Sequence, residues 1–352
     1  MRPETEAELA AIIRGATAPL SPVGGGTRLR PGEGQGARLS TAGLRGITLY
    51  EPAAMTLVAR AGTPLAEVQA ALAAEGQRLA FEPDEAEGST IGGVIAANAS
   101  GPRRVKDGAA RDSLIGVRFV DGSGAVIANG GRVMKNVTGY DLVKLMAGSR
   151  GTLGVLTEVS LKTQPVSPAS ATLTLAGLAA DRSVAAMTAA LTGPWDVSGA
   201  GRLPSGETVL RLEGLAGSVA IRAESLAARL AVFGPVETTE GDAAFADLRQ
   251  IGRDMAAAAG PGRAVWRIVC RPSQAAALVA QLPGPTALDW GGALIWAETP
   301  AEWVPDLPPG AIAARVHGGP GLSLPPMAPA LAALNDGVRG RFDPRGILAG
   351  AG

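Results

Sequence analysis

Three glycine-bearing stretches hold the residues of this chain whose types and spacing could do chemistry. The first is Pro22-Val23-Gly24-Gly25-Gly26-Thr27. Adjacent glycines remove every Cβ from a loop, so successive N–H groups can converge on an anion such as a pyrophosphate, and Thr27 adds a hydroxyl. The spacing fits neither G-x-G-x-x-G nor G-x-x-x-x-G-K-[ST], so a Rossmann or P-loop reading fails here. The second stretch runs from Gly88-Ser89-Thr90-Ile91-Gly92-Gly93 to Asn98-Ala99-Ser100-Gly101. Ser89 and Thr90 can cap the segment after them, the paired glycines permit close backbone approach, and small polar residues close the stretch. The third joins Val133-Met134-Lys135-Asn136-Val137-Thr138-Gly139-Tyr140-Asp141 to Gly148-Ser149-Arg150-Gly151-Thr152-Leu153-Gly154-Val155. A flat heterocycle could lie against such an edge, its rim met by backbone N–H and C=O groups. Any one stretch also reads as a tight loop between packed elements. Three in order are harder to dismiss, since two loops from separate places can grip one diphosphate.

The rest of the composition limits what other chemistry is open. The chain has 352 residues, with 49 glycines and 26 prolines, which leaves room for about two domains with real cores. One cysteine, Cys270, and one histidine, His317, cannot build a disulfide framework, a Cys/His zinc site, an iron–sulfur cluster or a haem ligand pair. No metal site is expected, and any redox chemistry needs an organic cofactor or a partner protein. Lysine plus arginine (32) balance aspartate plus glutamate (32), and aromatics make only 3% of the chain, so a dedicated nucleic-acid binder is not indicated. The N-terminal stretch is acidic, without a signal-peptide core, and no run of 18 apolar residues occurs, which suggests a soluble, cytoplasmic protein with no membrane span.

Elements that would position the glycine stretches are read from periodicity and caps. Thr5-x-x-Glu8 is a capping box opening a helix through Leu9, Ile12 and Ile13. Strands are expected at Pro19–Val23, Ile47–Glu51, Met55–Arg60 and Leu79–Phe81, with a helix between Thr63-Pro64 and Gly76. Leu114–Val120 and Ala125–Ala128 form a hairpin about Asp121-Gly122-Ser123-Gly124. A short helix is expected at Asp141–Ala147 and a strand at Thr157–Lys162. Beyond Pro168 strand-like pieces (Ala171–Leu175, Thr208–Leu212, Ala264–Val269, Ala293–Trp296) alternate with Ala-rich helices (Asp181–Leu191, Val219–Val232, Asp242–Ala258, Ser273–Gln281). This second α+β unit contains all five tryptophans, which are expected in its core or an interface. A last helix spans Pro329–Arg339.

The three stretches resemble the FAD-binding domain of the vanillyl-alcohol oxidase/PCMH flavoprotein family. More specifically, Gly101-Pro102-Arg103-Arg104, Arg111-Asp112, Gly116-Val117-Arg118, the Val133–Asp141 run and the ending Arg341-Phe342-Asp343-Pro344-Arg345-Gly346-Ile347-Leu348 are similar to the FAD-binding E subunits of glycolate-oxidising complexes. The resemblance is strong over residues 19–165, weak through the middle and recovers at the end. It implies an α+β, PCMH-type two-subdomain FAD-binding domain over residues 1–168, a smaller α+β cap over 169–325, and a segment 326–352 returning to the first domain.

What the resemblance implies about the site is carried position by position. The first two loops would hold the FAD pyrophosphate through Val23, Gly24, Gly25, Gly26, Thr27, Gly88, Ser89, Thr90, Gly92 and Gly93, with Asn98, Ser100 and Gly101 closing the second loop. Gly154 and Val155 would border the flavin. Family members with covalent FAD often use a His near the first loop; Thr27 stands here, so non-covalent FAD is expected. Related catalytic subunits hold substrate in a His-rich metal site, which a chain with one His cannot make. The expectation is therefore a flavin subunit of a glycolate-oxidising complex, partnered by a larger FAD-containing subunit and an iron–sulfur subunit that carries electrons onward, and reaching the membrane only peripherally through them. Two alternatives stand beside it. One is a self-sufficient 2-hydroxy-acid oxidase in which His317 is the base and Arg315 and Arg267 hold the carboxylate; the other is a scaffold that has lost its cofactor. Arg103, Arg104, Lys106 and Arg111 form a basic cluster that could face FAD phosphates, an acidic partner or solvent. Cys270 is expected to act as a small hydrophobe.

Overall fold

The computed structural model describes residues 1–131 and 140–349, so the stretch Val133–Gly139 lies outside the described residues. The chain forms two compact units. One comprises residues 1–100, 108–166 and 327–352; the other comprises Gly101–Asp107 and Ser167–Pro326. The seven residues Gly101–Asp107, placed with the first domain on sequence, thus pack with the second unit.

In the first unit the helix Glu6–Gly15 starts where Thr5 Oγ1 accepts from the Glu8 N–H at 3.1 Å. The reciprocal arm of the expected capping box differs, because Glu8 reaches back to the N–H of Glu4 at 2.8 Å. Leu9 and Ile13, one turn apart, bury one face against Leu20, Leu39 and Leu348. Glu6 accepts from Arg118 at 2.6 Å and from Thr157 at 2.6 Å. Burial raises its carboxyl, but those two hydrogen bonds and the Arg118 charge outweigh it and leave the group below the usual range.

Leu20–Val23 pairs in parallel with Ala37–Ser40, and the C-terminal segment joins the other side: Leu20 donates to the Ile347 carbonyl at 2.7 Å and Ala349 to the Leu20 carbonyl at 2.8 Å. That return is fixed by the ending noted above. Asp343 accepts from the N–H groups of Ile347 and Leu348 at 2.9 and 2.7 Å, and Phe342 packs on Phe119 with ring centroids 6.0 Å apart. Behind this lies an antiparallel five-stranded sheet in the order Ile47–Glu51, Thr56–Arg60, Val155–Lys162, Leu114–Val120, Val126–Gly130. The expected strand at Leu79–Phe81 is absent. Pairing stops at Gln77–Arg78, and a turn closed by the Glu82 N–H on the Leu79 carbonyl, with Glu82 at φ 47°, buries those three residues without strand partners.

In the second unit the described residues form a nine-stranded antiparallel sheet that includes the strands Ala169–Leu175, Thr208–Gly214, Arg263–Val269 and Leu294–Pro300. Val197–Arg202 is a strand that its two glycines disguise. A Cβ on Gly199 would meet the Phe245 ring and one on Gly201 would meet Leu248, so the helix Ala243–Ala258 sits directly on that backbone. The four expected helices are all present, as Ala180–Leu191, Ala216–Leu230, Ala243–Ala258 and Pro272–Gln281. Trp266 is fully buried, and its indole N–H donates to Thr299 Oγ1 at 3.1 Å.

Candidate cofactor cleft

An open cleft lies within the first unit. Val23, Gly24, Gly25, Gly26, Thr27, Thr90, Gly92, Gly93, Gly154 and Val155 all line it. Residues from three sequence-distant stretches therefore meet at one surface.

The first loop leaves the strand Leu20–Val23 and ends in the left-handed region, with Gly26 at φ 77°. Among the described residues, nothing accepts a hydrogen bond from the N–H groups of Gly24, Gly25, Gly26 or Thr27. Four consecutive donors on a cleft wall suit an anion with several oxygens, and this is the observation by which the residues present fit the pyrophosphate of FAD.

The second stretch is built differently. Its N–H groups are used inside the protein: Ser89 bonds to the Ala86 carbonyl, Ile91 to Thr63, Gly92 to Ala61 at 2.8 Å, and Gly93 to Thr90 Oγ1 at 3.3 Å. Thr90 thereby caps the short helix Ile91–Ala96. The glycines serve contact between stretches. A Cβ on Gly25 would overlap the Gly88 carbonyl oxygen, one on Gly24 would overlap Thr90 Oγ1, and one on Gly92 would lie 2.6 Å from both Ala61 Cβ and the Ala61 carbonyl. Steric intrusion on a phosphate is thus not the reason those positions are glycine.

Five residues expected at the cofactor stand outside the cleft lining. Gly88 and Ser89 back the first loop. Asn98, at φ 48°, accepts from the Arg111 N–H at 2.9 Å, and Ser100 Oγ accepts from the Ala110 N–H at 2.9 Å, so both close the turn after the short helix. Gly101 belongs to the second unit, where its carbonyl accepts from the Trp290 indole N–H at 3.0 Å. The adjoining basic residues lie outside the cleft lining and each is engaged within the protein, while Lys106 and Arg111 stay exposed. Arg103 pairs with Glu213 at 2.8 Å, Arg104 lies 4.4 Å from the Trp290 ring centroid, Lys106 pairs with Asp196 at 2.6 Å, and Arg111 donates to the Ala147 carbonyl at 2.7 Å.

His317 ends the strand Ile312–His317 of the second unit, paired with Val265. Arg315 lies 4.7 Å from the centroid of Trp266, and Arg267 lies 5.2 Å from Trp290. Cys270 is buried beside the Gly292 carbonyl, and burial pushes its thiol up to about 11, so it behaves as an inert hydrophobe. Among the described residues no group of three or more His, Cys, Asp or Glu is placed to hold a metal ion, and no helix is long and apolar enough to cross a membrane.

The sequence expectations missed Arg28, Glu33 and Arg150 at the cleft wall. Arg28 donates to Thr27 Oγ1 at 3.0 Å, to the Asp84 carbonyl at 2.8 Å, and to Ser89 Oγ and the Asp84 carboxylate. Arg150 donates to Glu33 through Nε at 3.1 Å and to the Arg28 carbonyl at 2.7 Å. Arg150 sits inside the Gly148–Gly154 motif, which is the one signal that could have marked it.

A family model described as an FAD binding domain matches residues 1–129. The chain belongs to the family of FAD-binding oxidoreductases with a PCMH-type domain that includes a glycolate oxidase subunit. That relative, glycolate oxidase subunit GlcE of Escherichia coli, is 38% identical over 73% of this chain and 69% of its own length. Glycolate oxidase subunit GlcD of Bacillus subtilis is 36% identical over 42% of this chain, which spans only 32% of it. A D-lactate dehydrogenase of Archaeoglobus fulgidus is 36% identical over 47% of this chain and 38% of its own. Two solved structures of alkyldihydroxyacetonephosphate synthase cover 100% of this chain and 75% of theirs, with TM-scores of 0.68 and 0.70 at 16% and 15% identity, and share its fold.

Proposed function

We propose that this chain is the non-covalent FAD-binding subunit of a glycolate-oxidising complex. The observation that carries the reading is the row of unspent N–H groups at Gly24–Thr27, facing a cleft where the three glycine stretches meet. Those four donors hold the pyrophosphate oxygens, and Gly88 and Ser89 behind Gly25, with Thr90 beside Gly24, keep them in place. Gly154, Val155, Leu156, Ala96 and Ala97 line the same cleft and supply the small and apolar wall that keeps water from the ring system. Bound there, FAD supplies the redox chemistry, while the chain supplies binding and orientation.

Similarity to two glycolate oxidase subunits, GlcE and GlcD, supports a role alongside a larger flavoprotein that oxidises glycolate to glyoxylate. An iron–sulfur partner then takes the electrons onward, because one cysteine cannot bind a cluster here. Arg267 and Arg315, the candidates for carboxylate binding in a self-sufficient oxidase, are engaged on tryptophan rings.

The deciding experiment is anaerobic addition of glycolate to the purified flavin-loaded chain, alone and with its co-purifying partners. The flavin spectrum is expected to persist with the chain alone and to bleach in the complex; prompt bleaching of the chain alone overturns the subunit reading. Acid precipitation is expected to leave all the flavin in the supernatant, since Thr27 offers no covalent attachment.

A further inference from the structure

The stretch from Thr27 to Gly36 contributes Thr27, Arg28, Leu29, Glu33 and Gly34 to the cleft wall. It contains no regular secondary structure before Ala37, so something other than a ladder must hold it. Two arginines do so from opposite ends. Arg28 fastens the start of the strap to the second glycine stretch through Asp84 and Ser89, with side chains only 13% and 26% exposed for Arg28 and Asp84. Arg150, from the third glycine stretch, reaches Glu33 near the far end and the Arg28 carbonyl near the start. Arg150 and Glu33 are 18% and 10% exposed, so this pair is shielded from solvent far better than a surface ion pair. Glu33 also accepts from the Arg30 N–H at 2.9 Å and lies 3.8 Å from its guanidinium. Burial, and then the neighbouring Arg150 charge, hold the Arg30 guanidinium below its usual range. One carboxylate thus serves two cations in a small, half-buried volume.

We infer that Arg28 and Arg150 are positioning residues for the cofactor, locking the Thr27–Gly36 strap over the cleft so that FAD leaves only when the Arg150–Glu33 link opens. The inference rests on the cleft being the FAD site. It assigns to these arginines a kinetic task, retention, distinct from the backbone contacts that supply affinity.

The test is the rate at which flavin fluorescence appears when the flavin-loaded full chain is diluted far below saturation. Arg150→Ala and Glu33→Ala are each expected to speed release about tenfold, as loss of a shielded charge-assisted bond does. The double variant is expected to release no faster than the faster single, because both remove one link. Arg150→Lys keeps the charge but cannot span Glu33 and the Arg28 carbonyl together, and it is expected to fall between. Arg45→Ala, which breaks the exposed Arg45–Glu67 pair (2.7 Å) of the same unit, is expected to leave release unchanged. Unchanged release in both single variants, strictly additive rates, or equal acceleration by Arg45→Ala overturns the strap assignment while leaving the FAD site intact. A wild-type chain that takes up no FAD overturns the site and the strap together.

Discussion

At Gly24–Thr27 the backbone N–H groups find no acceptor among the described residues, whereas at Ser89–Gly93 four N–H groups are committed to Ala86, Thr63, Ala61 and Thr90. Both stretches are glycine-rich and both reach the cleft wall. Glycine in the first loop frees donors and lets the chain turn at Gly26; glycine in the second lets backbone pack against backbone at Ala61. One is a binding surface and the other is its buttress. The difference teaches that a glycine cluster reports close approach without saying whether the approaching partner is a ligand or the protein itself.

The largest effect expected from that contrast comes where the two stretches touch. In Gly25→Val the new side chain must displace the Gly88 carbonyl, which is backbone and cannot rotate away. Flavin retention is expected to be lost, read as the flavin-to-protein absorbance ratio after gel filtration, together with a lowered melting temperature. Gly92→Val is expected to act alike through Ala61. If either variant melts normally and merely loses flavin, the clash is with the ligand and the buttress description fails at that position.

Gly26→Ala isolates the first loop. Only ordinary contacts surround that position, Val23 Cγ1 at 3.8 Å and Leu29 Cδ1 at 3.9 Å, so the cost is the left-handed backbone at φ 77°, about 1–2 kcal/mol for a residue with a Cβ. Flavin affinity is expected to fall about tenfold, measured by fluorescence titration. An unchanged affinity would mean that the turn at Gly26 does not aim the donors.

Much of this was legible in sequence because it is local. The Thr5 cap, the hairpin about Asp121–Gly124 and the first glycine loop all depend on residues within a few positions of each other. What escaped depends on distant partners. Arg150 meets Glu33 and Arg28 across 117 and 122 residues, and no local pattern links them. Gly199 and Gly201 carry no side chain to show an alternating pattern, and only Phe245 and Leu248, far off in sequence, account for them by packing on their backbone. The strand Glu237–Glu240 was missed for the opposite reason: all four of its residues are exposed at the sheet edge, so it carries no alternating apolar pattern. Asn98 and Ser100 have the right chemistry for a ligand, but the turn at the end of their own helix uses it first.

Thr90→Val sharpens the contrast from the other side. It keeps the bulk beside Gly24 and removes the oxygen that caps Gly93, a loss of about 1 kcal/mol. The melting temperature is expected to fall by a few degrees, with flavin affinity changed less than in Gly26→Ala.

Ser89→Ala is expected to have the smallest effect and to divide the two roles most cleanly. Ser89 is buried behind the first loop, and its hydroxyl accepts from Arg28. Removing it costs roughly 0.5–1.5 kcal/mol for one hydrogen bond, and Arg28 keeps the Asp84 carbonyl at 2.8 Å and the Thr27 hydroxyl at 3.0 Å. A buttress that loses one of several fastenings should soften slightly, so flavin affinity is expected to change by less than about threefold while the melting temperature drops by a degree or two. If instead Ser89→Ala empties the cleft as Gly25→Val does, the hydroxyl itself must reach the phosphate. The second stretch would then be a binding surface in its own right, and the N–H groups of Gly24–Thr27 would not be the principal anion site.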